Sequence, residues 1–488
     1  MVTALLFAVV TLLAEELPPV LADVAEENRY YRLVDVPMPK EAHFEASSFL
    51  ELDDGRLVIG TRRGEVYFVT GATEDPPAPK YELFASGLHE VFGIAYRDDT
   101  LYVTQQCEVT RLIDRNGDGR ADRYETVSDY WGFGAYHEYT FGSDFDKNGD
   151  MWLVHCLTAS YRSENAFRGW SFRVRADGTA TPTCSGIRSP CGVGFDKNGD
   201  PFYAESQGPW NGCCSLKPLK PGGFMGHPIS YNWYDLAPNM GPAPAQPTGG
   251  RDGRLHLDLE RIPELVPPAV KFPYKKMGQS ASAIRLDRSE GRFGPFAEQL
   301  FVTDYTLSLV MRVALEKVDG VDQGACFPFR EGLATGLIGA ELTRDGHLLT
   351  GGSKRGWPVR GPSLFALQRL DWTGETPFEV RTMSVRPDGF ELAFTLPVDP
   401  AIASDPASYS MTTYTHHYRA AYGSPEIDHT TPVITKAVPS ADGSSVRLRI
   451  EGMQVGHVHE LHLPGVRSRS GEPLLHPVAY YQVNVIPR

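Results

Sequence analysis

The 488-residue sequence contains no apolar run long enough to span a lipid bilayer. The apolar stretch at residues 3–14 has 12 residues, whereas a helix that spans a bilayer needs about 20. Basic residues are also scarce relative to acidic ones, 47 against 61, which gives a net charge of −14. Because phosphate binding requires a basic surface, nucleic acid is not a predicted partner. The acidic balance favours a soluble protein that handles neutral or cationic ligands.

The apolar stretch at residues 3–14 is followed by Val20, Leu21 and Ala22, which form a small-residue cleavage site. This order predicts a signal peptide over residues 1–22 and an exported protein, periplasmic or extracellular, with no membrane span in the mature chain. The segment before the apolar stretch lacks Lys and Arg, which departs from the usual pattern. An uncleaved anchor and a buried N-terminal helix are therefore the alternatives.

Cysteine is also sparse, and several catalytic motifs are missing. The seven cysteines form no C-x-x-C-H motif, which excludes covalently attached c-type haem. An exported chain could form one or two disulfides and would keep at least one thiol, because the count is odd. The sequence also lacks G-x-S-x-G, H-E-x-x-H and P-loop motifs. Serine hydrolase, zinc protease and NTPase functions therefore have no support.

A polar turn followed by an apolar strand recurs along the chain. Such units begin at residues 53, 97, 146, 196, 298 and 344, as in DKNGDMWLV and DKNGDPFYAE. Several short strands in each unit of roughly 45 residues are typical of propeller blades. We therefore predict a six-bladed β-propeller over residues 30–373. The longest interval between units indicates a Pro/Gly-rich loop insertion at about residues 210–279.

The pattern changes after the last unit. Residues 376–488 contain alternating strands such as FELAFTLPV, SSVRLRIEG and VHELHLPGV. Their spacing and turn signals indicate an immunoglobulin-like β-sandwich. The predicted fold class is therefore all-β, with a six-bladed β-propeller followed by a C-terminal immunoglobulin-like β-sandwich.

Three short motifs carry candidate chemistry. The first is YHEYTF at residues 136–141, where His137 precedes a blade strand and could act as a general base. The second is RSPCG at residues 188–192, where Arg188 could hold a carboxylate. The third is ESQGP at residues 205–209, whose backbone carbonyls could bind calcium. The simpler interpretations are a hydrogen-bonded rim histidine and a turn at the end of a blade strand.

On these motifs the propeller resembles the soluble glucose and sorbosone dehydrogenases, which use pyrroloquinoline quinone (PQQ) and calcium. It is more similar still to a branch of secreted propellers from planctomycete-type bacteria. The resemblance implies that His137 takes the proton from a sugar hydroxyl while hydride moves to the quinone. It implies that Arg188 and Gln207 face the cofactor and that the carbonyls of Gly208 and Pro209 bind calcium. A sugar or glycan would then be the substrate, with a redox partner protein as the electron acceptor.

The sequence departs from that family at several cofactor positions. Ser189 replaces an Asn, residues 210–214 (WNGCC) replace an acidic run, and Thr306 stands where the family has a Lys. A tricarboxylate cofactor would lose cationic partners through these changes. Two alternatives to a sugar dehydrogenase therefore remain open. One is a non-catalytic propeller that binds carbohydrate or protein, and the other is a calcium-dependent lactonase or lyase.

Other residues could also bind a ligand or metal. The loop DRNGDGRAD places oxygens at alternate positions, as at the start of an EF-hand-like calcium loop, and its candidate ligands are Asp114, Asn116, Asp118 and Asp122. A solvated turn is the alternative for this loop. His89 precedes an inner blade strand and could line the central channel beside a cofactor. The histidines of VGHVHELHL look metal-like, but strand alternation places His457 and His459 on one face and His462 on the other.

Overall fold

We analysed a computed structural model of the chain. It describes residue 17, residues 23–40 and residues 42–488. The predicted signal peptide therefore lies almost wholly outside the described residues. Within those residues, no helix combines the length and the apolar character that a membrane span requires.

Six antiparallel blades of four strands each form a closed propeller, as the turn-and-strand repeat predicts. The chain enters through helix α1 (Val24–Tyr30) and strand β1 (Tyr31–Asp35). Blade one contains β2 (Ala46–Glu51), β3 (Leu57–Thr61), β4 (Val66–Thr70) and β5 (Lys80–Ala85). Blade two contains β6 (Gly93–Arg97), β7 (Thr100–Thr104), β8 (Val109–Ile113) and β9 (Arg123–Ser128). Blade three contains β10 (Thr140–Phe145), β11 (Asp150–His155), β12 (Trp170–Arg175) and β13 (Ala180–Ser185).

The last three blades follow the same order. Blade four contains β14 (Pro190–Phe195), β15 (Pro201–Glu205), β16 (Cys214–Pro218) and β17 (Val270–Phe272). Blade five contains β18 (Ala281–Leu286), β19 (Leu300–Asp304), β20 (Leu309–Val318) and β21 (Val321–Arg330). Blade six contains β22 (Leu337–Leu342), β23 (His347–Ser353) and β24 (Phe365–Trp372), and β1 is its fourth strand. Pairing of β1 with β24 closes the ring, because the first strand of the chain completes the last blade.

The repeated DKNGD sequence forms the turn between the first two strands of blades three and four. In blade three, the Asp146 carboxylate accepts the backbone N–H groups of Asn148 and Asp150 at 2.8 and 3.0 Å. Gly149 has a φ of +82°, which glycine adopts without a steric penalty. The motif is therefore a structural turn, and its repetition marks the blades.

The predicted loop insertion at residues 210–279 is partly blade structure. Strands β16 and β17 lie within it, and the segment between them holds two 3₁₀ helices and the short helix α2 (Leu255–Leu259). Both strands are short and contain or follow proline, which masks the period-two pattern of a strand. The irregular segment consequently begins after Pro218 and ends before Val270.

The C-terminal region is a β-sandwich of two sheets. Its strands are β25 (Val380–Arg386), β26 (Gly389–Phe394), β27 (Ser410–His416), β28 (Glu426–Thr430), β29 (Val433–Pro439), β30 (Ser445–Glu451), β31 (Val458–His462) and β32 (Val478–Gln482). One sheet has the order β25-β26-β30-β29 and the other has the order β32-β31-β27-β28. This is the two-sheet order of immunoglobulin-like domains, with one extra edge strand. The predicted fold class is therefore confirmed.

The sandwich and the propeller share one continuous sheet. Strand β32 pairs with β21 of blade five through Gly324, Ala325 and Cys326, which gives an eight-stranded sheet. Strands β20 and β21 are ten residues long, so they extend beyond the propeller. Phe327 consequently packs in the same apolar core as Phe390 of the sandwich. The two regions are fused through backbone hydrogen bonds and a shared core.

A buried ionic network joins the N-terminal helix, blade five and the sandwich. The Glu27 carboxylate accepts hydrogen bonds from Arg330 Nη1 and from the backbone N–H of Glu331, both at 2.9 Å. His476 lies between two carboxylates, with Nε2 at 3.0 Å from Glu27 and Nδ1 at 2.5 Å from Glu379. Burial alone would lower the pKa of His476, but these two carboxylates raise it to about 9.

We expect this network to make stability depend on pH in the alkaline range. Because the folded pKa of His476 lies above its ordinary value of 6.5, its stabilising contribution is complete below about pH 6.5 and is lost as pH rises through about 9. The difference in unfolding free energy between the native protein and His476→Gln should therefore shrink by about 3 kcal/mol from pH 6 to pH 10. Urea unfolding of both proteins at a series of pH values measures this difference in free energy. A difference that does not change with pH would show that His476 is not charged in the folded protein.

Candidate functional site

The residues of the three sequence motifs lie on one face of the propeller, the face where the inner strands begin. We call this the upper face, and the entrance to the channel on this side the upper mouth. His137 precedes β10, Arg188 precedes β14 and Gln207 follows β15. Successive strands of a blade are antiparallel, so loops before inner strands and loops after second strands meet on the same face. The structure therefore brings His137, Arg188 and Gln207 to the same face of the propeller.

An apolar layer separates the upper mouth from the rest of the channel. Phe92, Phe141, Val193 and Ile338 form part of one buried cluster, and the rings of Phe92 and Phe141 are 4.9 Å apart. Below this layer is a cavity of about 320 Å³, lined toward the opposite end of the channel by charged side chains that include Glu341. Burial raises the pKa of Glu341 to about 7, against the opposing effect of Arg285. The upper mouth is therefore a separate, shallower surface.

His137 lies at the upper mouth, with a φ of +72°. Its Nδ1 is 3.3 Å from the Ser160 hydroxyl, and its ring lies 5.0 Å from the Tyr139 ring and 5.8 Å from the Trp357 ring. Burial is the largest influence and lowers the pKa of His137, but the hydrogen bond and the charge interaction with Cys156 together raise it, so the net shift is upward. A raised pKa makes the neutral imidazole a stronger base, which is compatible with proton abstraction near neutral pH. The predicted role of His137 as a general base therefore stays a prediction.

Arg188 is buried beneath a loop of the sandwich, with 4% of its surface exposed. Its Nε donates to the Ser160 carbonyl at 3.1 Å and its Nη1 donates to the Gln207 carbonyl at 2.5 Å. The Tyr422 ring lies over the guanidinium at 5.1 Å. On another side, a Cβ atom at Gly208 would come within 2.3 Å of the guanidinium. The predicted cofactor residue is thus enclosed by protein and faces no open quinone pocket.

The Gly208 carbonyl, one of the two calcium ligands predicted at Gly208 and Pro209, is also engaged within the protein. The Gly208 carbonyl accepts the backbone N–H of Asn211 at 3.1 Å and that of Gly423 at 3.2 Å. A carbonyl oxygen has two lone pairs, and both are used here. The side-chain oxygen of Gln207 points toward Gly423. Because Gly423 belongs to the sandwich, the C-terminal domain covers the position at which the resemblance implies calcium, and Gly208-Pro209 does not provide the expected ligand set.

The second predicted calcium loop is closed by its own backbone. Asp114 accepts two backbone N–H groups of this loop at 2.7 and 2.8 Å. Asn116 and Asp118 each accept the N–H two residues further along, and Asp122 is exposed. In the described part of the chain, no three His, Cys, Asp or Glu side chains are arranged to hold a metal ion. The structure therefore favours the solvated turn over the calcium loop.

His89 has an exposed side chain in the loop before β6. Its ring contacts the Phe133 ring at 5.2 Å, and its backbone N–H donates to the side chain of Gln105. These contacts are the structural role that the sequence offered as the alternative, and the prediction that His89 lines the channel beside a cofactor stays a prediction.

The upper mouth contains a buried polar cluster that the sequence motifs did not indicate. Arg62 Nη2 donates to Glu90 at 3.2 Å and lies 3.5 Å from the Tyr139 hydroxyl. Glu90 also accepts a hydrogen bond from Gln106 at 2.6 Å. Three buried atoms of this cluster have no hydrogen-bond partner among the described residues, namely Arg62 Nε, Gln106 Oε1 and Glu45 Oε2. A buried polar atom without a partner is costly, so these atoms indicate a position for water or a polar ligand.

Exposed aromatic rings lie on the same face as this polar cluster. Tyr136, Tyr161, Trp357 and Tyr422 all lie on the upper face, and each is more than half exposed. Trp357 is the ring next to His137, and the rings of Tyr161 and Tyr422 lie 6.2 Å apart. Large exposed apolar side chains concentrated around a polar depression are typical of a binding surface.

Comparison with known proteins gives similarity at the level of the propeller. A family model described as a domain of unknown function (DUF7133) matches residues 31–246. No curated protein matches the chain. Among solved structures, the PQQ-bound aldose sugar dehydrogenase of Streptomyces coelicolor is 15% identical, with a TM-score of 0.47, over 70% of this chain and 98% of that one.

Two further solved structures show the range of proteins that match. The PQQ domain of pyranose dehydrogenase from Coprinopsis cinerea is 10% identical, with a TM-score of 0.48, over 70% of this chain and 95% of that one. Virginiamycin B lyase from Staphylococcus aureus is 11% identical, with a TM-score of 0.37, over 70% of this chain and 98% of that one. These TM-scores are all below 0.5, and the function proposed below therefore depends on the residues of this chain.

The enclosed position of Arg188 predicts that PQQ does not bind with calcium at the upper mouth. Titration of the purified protein with PQQ, with and without calcium, should give no saturable change in the quinone absorbance, because neither the guanidinium nor the Gly208 carbonyl is available. Saturable, calcium-dependent binding that is lost in Arg188→Met would contradict this interpretation and restore the quinoprotein hypothesis.

Proposed function

We propose that the protein binds a neutral sugar, or the end of a glycan, at the upper mouth of the propeller. The observation that carries the proposal is the exposed Trp357 ring close to a buried polar cluster with unpartnered atoms. A sugar ring has an apolar face of C–H groups and a rim of hydroxyls. Stacking on an aromatic ring and hydrogen bonding to charged side chains together match this mixed surface.

The polar cluster supplies both donors and acceptors for hydroxyl groups. Arg62 Nε has an unused donor site and Glu45 Oε2 has an unused acceptor site, and both atoms are buried, so a hydroxyl reaches them when the neighbouring side chains move aside. Arg355 Nη1 lies 3.8 Å from Glu45 and extends the cluster toward Trp357. A hydroxyl both donates and accepts, so it satisfies either kind of group, and hydrogen bonds to charged groups contribute about 1.5–3 kcal/mol each. The acidic balance of the protein suits a neutral ligand better than an anionic one.

The enzymatic hypotheses require groups that the upper mouth does not present. A PQQ-dependent sugar dehydrogenase needs an accessible cation for the quinone carboxylates, and Arg188 is enclosed. A calcium-dependent lactonase or lyase needs a set of oxygen ligands, and the Gly208 carbonyl accepts two backbone N–H groups. The proposal is therefore a carbohydrate-binding propeller. Export of the chain, predicted from residues 1–22, would place this surface where extracellular glycans are found.

The proposal predicts that Trp357→Ala and Glu45→Gln weaken sugar binding. We expect a loss of about tenfold or more in affinity for each variant, because each removes a contact of roughly 1.4 kcal/mol or more. An array of immobilised glycans identifies the tightest ligand, and calorimetric titration with that ligand measures the affinities. Tyr124→Ala is the matched control, because Tyr124 is an exposed aromatic residue on the outer strand of blade two.

The same titrations can contradict the proposal in two ways. Equal losses in Trp357→Ala and in the control would show that the effect does not depend on the upper mouth. Binding of an array ligand with unchanged affinity in both upper-mouth variants would place the carbohydrate site elsewhere on the protein.

A further inference from the structure

A small cavity lies at the junction between the propeller and the sandwich, and none of the upper-mouth residues lines it. Its volume is about 10 Å³, which is enough for one water molecule or one ion of similar size. The propeller contributes His256 from α2 and Lys271 from β17, and the sandwich contributes Gly456 and Gln482. Both structural regions therefore meet around this single position.

The ammonium group of Lys271 has no anionic partner at this junction. Its Nζ lies 3.5 Å from Nδ1 of His416, a neutral histidine whose pKa burial lowers well below its ordinary value. No carboxylate belonging to the described residues lies within ion-pair distance of Lys271. Cys213 is close, but burial raises its pKa well above the ordinary value, so the thiol stays neutral and donates to the Phe272 carbonyl.

The neighbouring carboxylates form ion pairs with other cationic side chains. Asp428 accepts two hydrogen bonds from Arg254, at 2.6 and 3.2 Å. Glu426 and Glu460 both pair with Lys276, at 3.0 and 2.8 Å. The nearby acids therefore do not compensate the charge of Lys271, and an uncompensated ammonium in this partly buried position is destabilising.

Other polar atoms around the junction also lack partners. Nδ1 of His256, Nδ1 of His457 and Oε1 of Gln482 form no hydrogen bond with any described residue. His457 and Gln482 are buried, and the rings of His256 and His457 lie 6.2 Å apart. An imidazole N–H can donate to an anion once the tautomer is set by it, whereas the Gln482 amide N–H already donates to Asn484 at 3.1 Å. The junction thus combines one uncompensated cation with two imidazole donors.

We propose that this cavity binds one monatomic anion, a halide such as chloride, beside Lys271. Water could fill the volume but would leave the ammonium charge uncompensated. A metal cation would be repelled by Lys271, and a polyatomic anion such as sulfate exceeds the volume. Burial and the charge of Lys217 lower the pKa of Lys271 to about 8, and a neighbouring anion would raise that pKa and keep the lysine charged at neutral pH.

A bound halide would stabilise the contact between the two regions. Lys271 and His256 belong to the propeller, whereas Gln482 and His457 belong to the sandwich. An anion that contacts both sides adds interactions present only when the sandwich is docked, so it stabilises the folded chain by mass action. The proposal concerns this junction alone and does not depend on carbohydrate binding at the upper mouth.

Two measurements on the full-length protein test the proposal. Crystals grown in sodium bromide should show an anomalous peak within about 3.5 Å of Lys271 Nζ, a distance typical of a hydrogen bond to a large anion. Replacement of sodium gluconate by sodium chloride at the same ionic strength should raise the melting temperature by about 2 °C or more. Lys271→Met should abolish the chloride effect, and Lys147→Met, at an exposed lysine elsewhere, should retain it.

The outcomes decide the proposal in either direction. Absence of a bromide peak in the cavity, or a melting temperature that does not respond to chloride, overturns it. A chloride response that persists in Lys271→Met also overturns it, because the anion would then bind elsewhere. If Lys271→Met does not fold, the bromide peak in the native protein decides the question without the variant.

Discussion

Enclosure of the Arg188 guanidinium is the constraint that shapes the upper face of this protein. The side chain donates to two backbone carbonyls, contacts Gly208 on one side and lies under Tyr422 on the other. Loops of blades three and four supply the two carbonyls and Gly208, and the C-terminal sandwich supplies Tyr422. A buried arginine is stable only when its donors and its charge are compensated, so the sandwich loop must stay docked on the propeller. The position of the sandwich therefore determines which part of the upper face remains open.

The shared sheet explains how the sandwich is held in that position. Backbone pairing of β21 with β32 fixes the register between blade five and the sandwich, and the shared core around Phe327 and Phe390 fixes the distance between them. From this anchor, the loop that carries Tyr422 and Gly423 reaches the ends of blade four. The open remainder of the upper face lies over blades one, two, three and six, where Arg62, Glu90 and Trp357 are found. Fusion of the domains thus covers Arg188 and Gly208 and leaves Trp357 exposed.

The sequence predicts the fold well because the information is local. Each DKNGD-type turn specifies its own hairpin, and the repetition of such turns gives the number of blades. The shared sheet could not be predicted, since β21 and β32 are about 150 residues apart and edge pairing leaves no mark in either strand. Closure of the propeller ring by β1 could not be predicted for the same reason, because β1 and its partner β24 are far apart in the sequence.

The site was predictable only in its position. His137, Arg188 and Gln207 stand at equivalent ends of blade strands, so the sequence places them on one face. Their roles depend on Tyr422 and Gly423, which come from more than 200 residues further along and carry no motif. Arg62 and Glu90 were missed because each is an ordinary charged residue beside a strand end. A search for polar residues at the upper end of each blade strand would have found Arg62 and Glu90.

A crystal structure of the protein with its tightest-binding glycan tests the central claim most directly. The account predicts a sugar ring stacked on Trp357, with hydroxyl groups hydrogen-bonded to Arg62 and Glu45. A sugar bound in the lower channel cavity beside Glu341, or on the sandwich away from the propeller, would contradict it. A ligand that displaces Tyr422 and contacts the Arg188 guanidinium would also contradict it, because the arginine would then belong to the binding site.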